Sequence, residues 1–133
     1  MRVAELMETD LRTVRVEQTV ADAIGILADS HVSALPVLDG AGRFLGVLST
    51  SDVLQAEAEC ASPAEREELF ENTMVREVMS TQPKTIDPDD DLKAVAQQML
   101  YLGVHRLFVV FDGRLVGVIS QGDIVRAVAT ARI

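Results

Sequence analysis

Tryptophan is missing from this chain of 133 residues, and all aromatics together make up only 4% of it. A stacking platform for unpaired bases is therefore not on offer. Surplus positive charge is missing too: 12 Lys and Arg stand against 21 Asp and Glu, a formal charge of −9. Nonspecific binding to nucleic acid works by neutralising phosphates, and this balance argues against it. Cysteine occurs once, at Cys60, which excludes an internal disulfide and fits a reducing cytoplasm. No apolar run approaches the roughly 20 residues of a membrane span, and no basic-then-apolar leader precedes the patterned sequence at Met1. Neither a P-loop nor a Gly-x-Gly-x-x-Gly fingerprint occurs. The two histidines, His31 and His105, are too far apart in sequence for a local metal motif. These absences predict a soluble cytoplasmic protein with no nucleic-acid or membrane partner, no metal and no required cofactor.

What the chain does contain, it contains twice. Val3-Ala4-Glu5-Leu6-Met7 returns as Val75-Arg76-Glu77-Val78-Met79, an offset of 72 residues (75 minus 3). Leu45-Gly46-Val47-Leu48-Ser49-Thr50-Ser51-Asp52 returns as Val116-Gly117-Val118-Ile119-Ser120-Gln121-Gly122-Asp123, offset by 71 (120 minus 49). One residue has been lost between the two, in the turn after Leu38. Solenoid repeats run at about 20–50 residues, so a longer duplication implies two similar half-domains. At this length they make one compact unit with a core that needs no staples.

Each copy reads strand, helix, strand, strand, helix. Thr13 to Val16 alternates as a short strand, and Thr19 with Asp22 makes a capping box for a helix carrying Val20, Ala23, Ile24 and Leu27. Ala34 to Leu38 and Arg43 to Leu48 read as a hairpin around Asp39-Gly40-Ala41-Gly42. The second copy offers Lys84 to Ile86, a helix with Leu92, Val95, Met99 and Leu102, and strands at 107–111 and 115–119 about the Asp112-Gly113 turn. Asp89-Asp90-Asp91 is expected to answer the free amides at that helix start rather than to hold a metal. Ser62-Pro63-Ala64-Glu65 starts a solvated acidic helix to about Glu71. The domains are therefore 1–61, a first repeat; 62–74, a helical connector; and 75–133, a second repeat.

The chemistry gathers at Gly-x-x-Ser-x-x-Asp. Ser49 and Ser120 stand at helix entrances, where a hydroxyl and free amides face an anion. Asp52 and Asp123 follow in the first turn, where a carboxylate can accept from the vicinal diol of a ribose. The same residues also read as plain caps, Ser as N-cap and Asp as its partner. Ser120, His105 and Asp123 do not read as a hydrolase triad, because the first copy keeps the Ser and Asp but has Ser33 for the histidine. No catalytic residue is assigned.

Val-x-x-hydrophobic-Met, Leu35-Pro36-Val37 and the doubled Gly-x-x-Ser-x-x-Asp resemble the CBS domain, named for cystathionine beta-synthase. Two in tandem resemble a CBS pair, or Bateman module, over nearly the whole chain except 55–73. The resemblance implies an α/β (α+β) fold of two repeats, each β-α-β-β-α, with three-stranded sheets packed sheet to sheet about a pseudo-two-fold axis. It implies adenosyl ligands, AMP, ADP, ATP, S-adenosylmethionine or NAD, in clefts between the halves. Carried over by position, Asp52 and Asp123 would hold ribose hydroxyls, and Ser49 and Ser120 would face ribose or phosphate. Thr13 and Thr85 would line the adenine or phosphate side, while Ala34, Leu35, Pro36, Arg106, Leu107 and Phe108 flank the base. His105 and Arg106 form the basic pair that approaches phosphate, and the first copy has Ser33-Ala34 instead, so unequal sites are expected. Phe108 departs from the pattern, where Pro36 keeps it. The expected function is regulatory and not enzymatic: a nucleotide-sensing module, homodimeric, altering its assembly or a protein partner. The alternative is a homodimeric interaction scaffold that needs no ligand.

Overall fold

The computed structural model describes residues 1–130; the last three residues of the second repeat lie outside the described residues. Two compact units divide the chain, and they are not cut where the repeats are. One comprises Arg12–Pro83; the other joins Met1–Leu11 to the chain from Lys84 onward.

In the Arg12–Pro83 unit, β1 (Val14–Arg15) leads through α1 (Val20–Ser30) to β2 (Ala34–Leu38), β3 (Phe44–Ser49), α2 (Thr50–Ala58) and α3 (Pro63–Asn72). A single 3-10 turn, Val75–Glu77, then precedes β4 (Ser80–Thr81). Its sheet runs β1-β2-β3-β4, with β1 parallel to β2 and the other pairs antiparallel. α1 starts as its sequence dictates: the Thr19 hydroxyl accepts from the Asp22 amide at 3.1 Å and the Asp22 carboxylate accepts from the Thr19 amide at 3.2 Å. Val14, Ala23, Leu27, Leu35, Val37, Leu48 and Val75 form its core. Leu35 and Leu48 are fully buried, each worth about 1.5–3 kcal/mol.

The second unit carries β5 (Thr85–Ile86), α4 (Leu92–Leu102), β6 (Arg106–Phe111), β7 (Arg114–Ser120) and α5 (Gln121–Ala129), with a 3-10 turn at Val3–Glu5. Its sheet has three strands, β5-β6-β7. Asp112 and Gly113 both take positive φ, 53° and 75°, as a two-residue hairpin turn requires. Its core gathers Val3, Ile86, Leu92, Val95, Met99, Leu107, Val109, Ile119, Ile124 and Ala127.

The start of each repeat thus packs with the body of the other. The Val3 amide donates to the Asp90 carbonyl at 3.0 Å, and the Val75 amide to the Gln18 carbonyl at 2.8 Å. Val118 and Glu8 exchange both backbone bonds, at 2.8 and 2.9 Å; Val47 is the antiparallel register partner of Ser80 between β3 and β4. Both motif glycines exist for this crossing. A Cβ on Gly46 would lie 2.5 Å from the Ser80 carbonyl oxygen, and one on Gly117 would lie 2.7 Å from the Met7 sulfur.

Two expectations are corrected. The sheets do not both have three strands, because Ser80–Thr81 adds a fourth to the first. Nor does the Asp89-Asp90-Asp91 run cap α4 through its side chains: Asp91 makes no such bond, the Asp90 carboxylate accepts from the Asp87 amide at 2.9 Å, and the Leu92 amide donates to the Met1 carbonyl at 3.0 Å. Met1 supplies from the chain start the acceptor that local acids were expected to give. α3 is mostly solvated, as its composition implies, but it is also tied to its neighbours. It packs on α1 and α2, buries Leu69, places Arg66 over the Phe70 ring at 5.5 Å and pairs Arg66 with Glu57 at 3.2 Å.

Candidate functional site

Each unit brings a serine, an aspartate and the first residue of the paired strand together at the entrance of one helix, α2 in one and α5 in the other. In the Arg12–Pro83 unit, Ala34 opens β2 directly across from Ser49, the last residue of β3. The Ser49 hydroxyl accepts from the Asp52 amide at 3.1 Å, and Asp52 Oδ2 accepts from the Ser49 amide at 2.9 Å. The Thr50 amide is tied to the Ser33 carbonyl at 2.9 Å, which fixes the helix entrance against the loop before β2. Thr13 stands half-buried just ahead of β1. Leu35 is a core residue and Pro36 is buried, so Leu35 can meet a ligand only through its backbone.

The second unit repeats the arrangement. Arg106 opens β6 across from Ser120, and cross-strand partners project side chains to the same face. The Ser120 hydroxyl accepts from the Asp123 amide at 3.1 Å, and Asp123 Oδ2 accepts from the Ser120 amide at 3.0 Å. The Gln121 amide donates to the His105 carbonyl at 2.8 Å. Thr85 pairs with Phe108 across β5 and β6; Leu107 lies in the core, while His105 and Arg106 are exposed.

The cap therefore occupies one carboxylate oxygen of each aspartate and leaves the other outside it. In both repeats the cap uses Oδ2, and Oδ1 is left for something else. Sequence reasoning missed what holds Oδ1. In the first it is the Ser80 hydroxyl, which donates at 3.0 Å; nothing local in the sequence could reveal a partner 28 residues away. In the second it is the guanidinium of Arg126, one helical turn on, a spacing that does carry a signal.

The surroundings differ in charge. A groove of about 380 Å³ is lined by Asp52, Gln55, Ala56, Glu59, Leu69, Glu77 and Val78, with three carboxylates and, among the described residues, no cation. At the mouth of α5, Arg126 pairs with Asp123, and Arg106 stands across the strands from Ser120. A wider cavity of about 640 Å³ lies between α2 and α3, against Glu57, Cys60, Arg66 and Phe70, and includes none of the expected site residues. It is a cleft between helix faces; the converging amide, hydroxyl and carboxylate groups are at the helix entrances instead. Cys60 is half-buried there, its thiol 3.5 Å from the Ala56 carbonyl.

The family model for the CBS domain matches residues 3–59 and again 75–130. Among curated proteins, the chain is 27% identical over 124 residues to MJ1225 of Methanocaldococcus jannaschii, covering 93% of this chain and 41% of that one. It thus spans about two fifths of that relative's length. It is 30% identical over 123 residues to the CBS domain-containing protein YhcV of Bacillus subtilis, covering 92% and 81%. The structure of CBSX2 in complex with AMP superposes with a TM-score of 0.83 at 27% identity, covering 99% of this chain and 98% of that one; CBSX2 is a CBS-pair protein of Arabidopsis thaliana.

Proposed function

The chain belongs to the CBS-domain family with two domains in tandem, and on that premise we propose that it is a regulatory module, not an enzyme, that binds an adenine nucleotide reversibly. The observation that carries this reading is the doubled Ser–Asp box, in which one carboxylate oxygen caps the helix and the other points away from the cap, held by Ser80 in one repeat and by Arg126 in the other. In our reading that second oxygen receives a ribose hydroxyl. The AMP held by CBSX2, a neighbour similar over nearly its full length, supports an adenosyl ligand here. Binding alters a protein partner or the module's own assembly, because a ligand shifts whichever state it binds better.

Thermal unfolding with AMP, ADP, ATP, S-adenosylmethionine and NAD tests it. A ligand at a hundred times its Kd stabilises by about 2.7 kcal/mol. Melting curves left unmoved by all five at millimolar concentration refute the reading. The second reading, a homodimeric scaffold, draws support from apolar residues left in solvent on the helices: Leu54 is 63% exposed, Leu100 76%, Tyr101 90% and Val125 65%. Sedimentation of the Asp52→Ala, Asp123→Ala double variant separates the two. A dimer and partner unaffected by nucleotide before and after substitution favour the scaffold.

A further inference from the structure

We propose that Arg126 is a specificity-determining residue that commits the second repeat's site to adenosyl ligands carrying phosphate. This deepens the nucleotide reading above and rests on it. The Arg126 guanidinium holds Asp123 Oδ1, the oxygen a ribose diol needs, while its side chain remains 73% exposed. A guanidinium has five N–H donors in a rigid fork, so most of them face outward from this pair. An uncharged nucleoside taking Oδ1 breaks the ion pair and returns nothing to the arginine. A phosphorylated one offers it a bidentate acceptor within reach of the same ribose. The same contact therefore opposes one ligand class and favours the other, which is how a site discriminates rather than merely binds.

Three neighbours point the same way. Arg106, the cross-strand partner of Ser120, brings a second cation to that face. The amides at the start of α5 favour an anion. The first repeat, aligned residue for residue, lacks the device: Gln55 stands where Arg126 does (126 minus 71) and Ala34 where Arg106 does (106 minus 72). Its Asp52 Oδ1 is held by a neutral hydroxyl instead.

The test is calorimetric titration of the full chain with AMP and with adenosine, in an Asp52→Ala background that silences the first repeat, with and without Arg126→Gln. Loss of the arginine should raise the Kd for AMP by about tenfold or more and leave that for adenosine unchanged or tighter. In otherwise wild-type protein, Gln55→Arg should raise the preference for AMP over adenosine. Equal weakening of both ligands by Arg126→Gln would show that the arginine only positions Asp123, and an unchanged AMP affinity would show that phosphate goes elsewhere; either overturns the proposal. Wild-type protein that binds neither ligand overturns the nucleotide reading itself, and this inference with it.

Discussion

Adding one methyl group to each motif glycine should destabilise the protein unequally, and the inequality follows from what each Cβ would strike. On Gly46 the nearest atom is the Ser80 carbonyl oxygen at 2.5 Å, with the Met79 sulfur at 3.1 Å. The first is backbone, held in register by β4 against β3, so relief requires the strands to part. On Gly117 the contacts are the Met7 sulfur at 2.7 Å and its Cγ at 2.9 Å, with the Glu8 carbonyl oxygen at 3.0 Å. A methionine side chain can rotate away. Neither glycine has a left-handed φ, so alanine also gains about 0.4–1 kcal/mol by restricting the unfolded chain. Overpacking costs about 1–3 kcal/mol. The net loss should be about 2 kcal/mol for Gly46→Ala and about 1 kcal/mol or less for Gly117→Ala.

Urea unfolding of both variants measures this difference, and amide exchange at Ser80 and Thr81 locates it. Gly46→Ala should speed exchange in β4 in particular. It should also loosen the Ser80 hydroxyl from Asp52 Oδ1, so that a residue far from any ligand contact alters nucleotide affinity in the first repeat. If Gly46→Ala proves as stable as wild type, or the milder of the two, the close crossing of segments is not what the motif glycine serves.

Three further outcomes are expected. Ser120→Ala removes a cap that accepts from the Asp123 amide and should lower stability by about 1 kcal/mol, whereas Asp91→Ala, at an N-cap making no side-chain bond, should cost about half that or less; chemical denaturation compares them. His31 occupies a left-handed C-cap at φ 54° where the second repeat has Gly103 at φ 69°, so His31→Gly should stabilise by roughly 0.5–1 kcal/mol and raise Tm by about 2–4 °C. The Asp39 carboxyl is held below its ordinary 3.8 by the Arg43 amide first, with the Ala41 amide and the Arg43 side chain adding to this against the effect of burial. Since the folded state holds that proton less tightly, the turn's contribution is present above the unfolded value and lost as pH falls through the folded one; a carboxyl NMR titration showing an ordinary or raised midpoint would contradict this.

Much of the fold was legible because the caps are local chemistry. Thr19 with Asp22, Ser49 with Asp52, Ser62 with Glu65 and Ser120 with Asp123 all bond as the three-residue spacing implies. The hydrophobic stripes of α1 and α4 bury Val20, Ala23 and Leu27, and Leu92, Val95 and Met99, as their spacing selects, while Ile24 and Leu102 stay half-buried. What stayed hidden is nonlocal. β4 is two residues long, too short for any period to register, and its pairing with β3 spans some thirty residues of chain. The Asp run before α4 misled for the same reason: three acids at a helix start look like caps, yet a carbonyl at Met1 does part of that work.

The exchange of segments changes what the repeated motif means. Read along the sequence, the glycine, serine and aspartate look like one ligand loop. In space the glycine admits a crossing strand, the serine caps a helix, and the aspartate divides its two oxygens between the cap and the outside. Only that last oxygen is free to differ between the copies without disturbing the fold, and it is where they do differ, Ser80 in one and Arg126 in the other. A duplicated scaffold can diverge in ligand preference at such a point, because the capping bonds that stabilise α2 and α5 stay intact whatever the outward oxygen holds. Substitutions at Ser80 and Arg126 should therefore move affinity and selectivity while leaving unfolding free energies within about 0.5 kcal/mol of wild type, whereas substitutions at Ser49 and Ser120 should move both together.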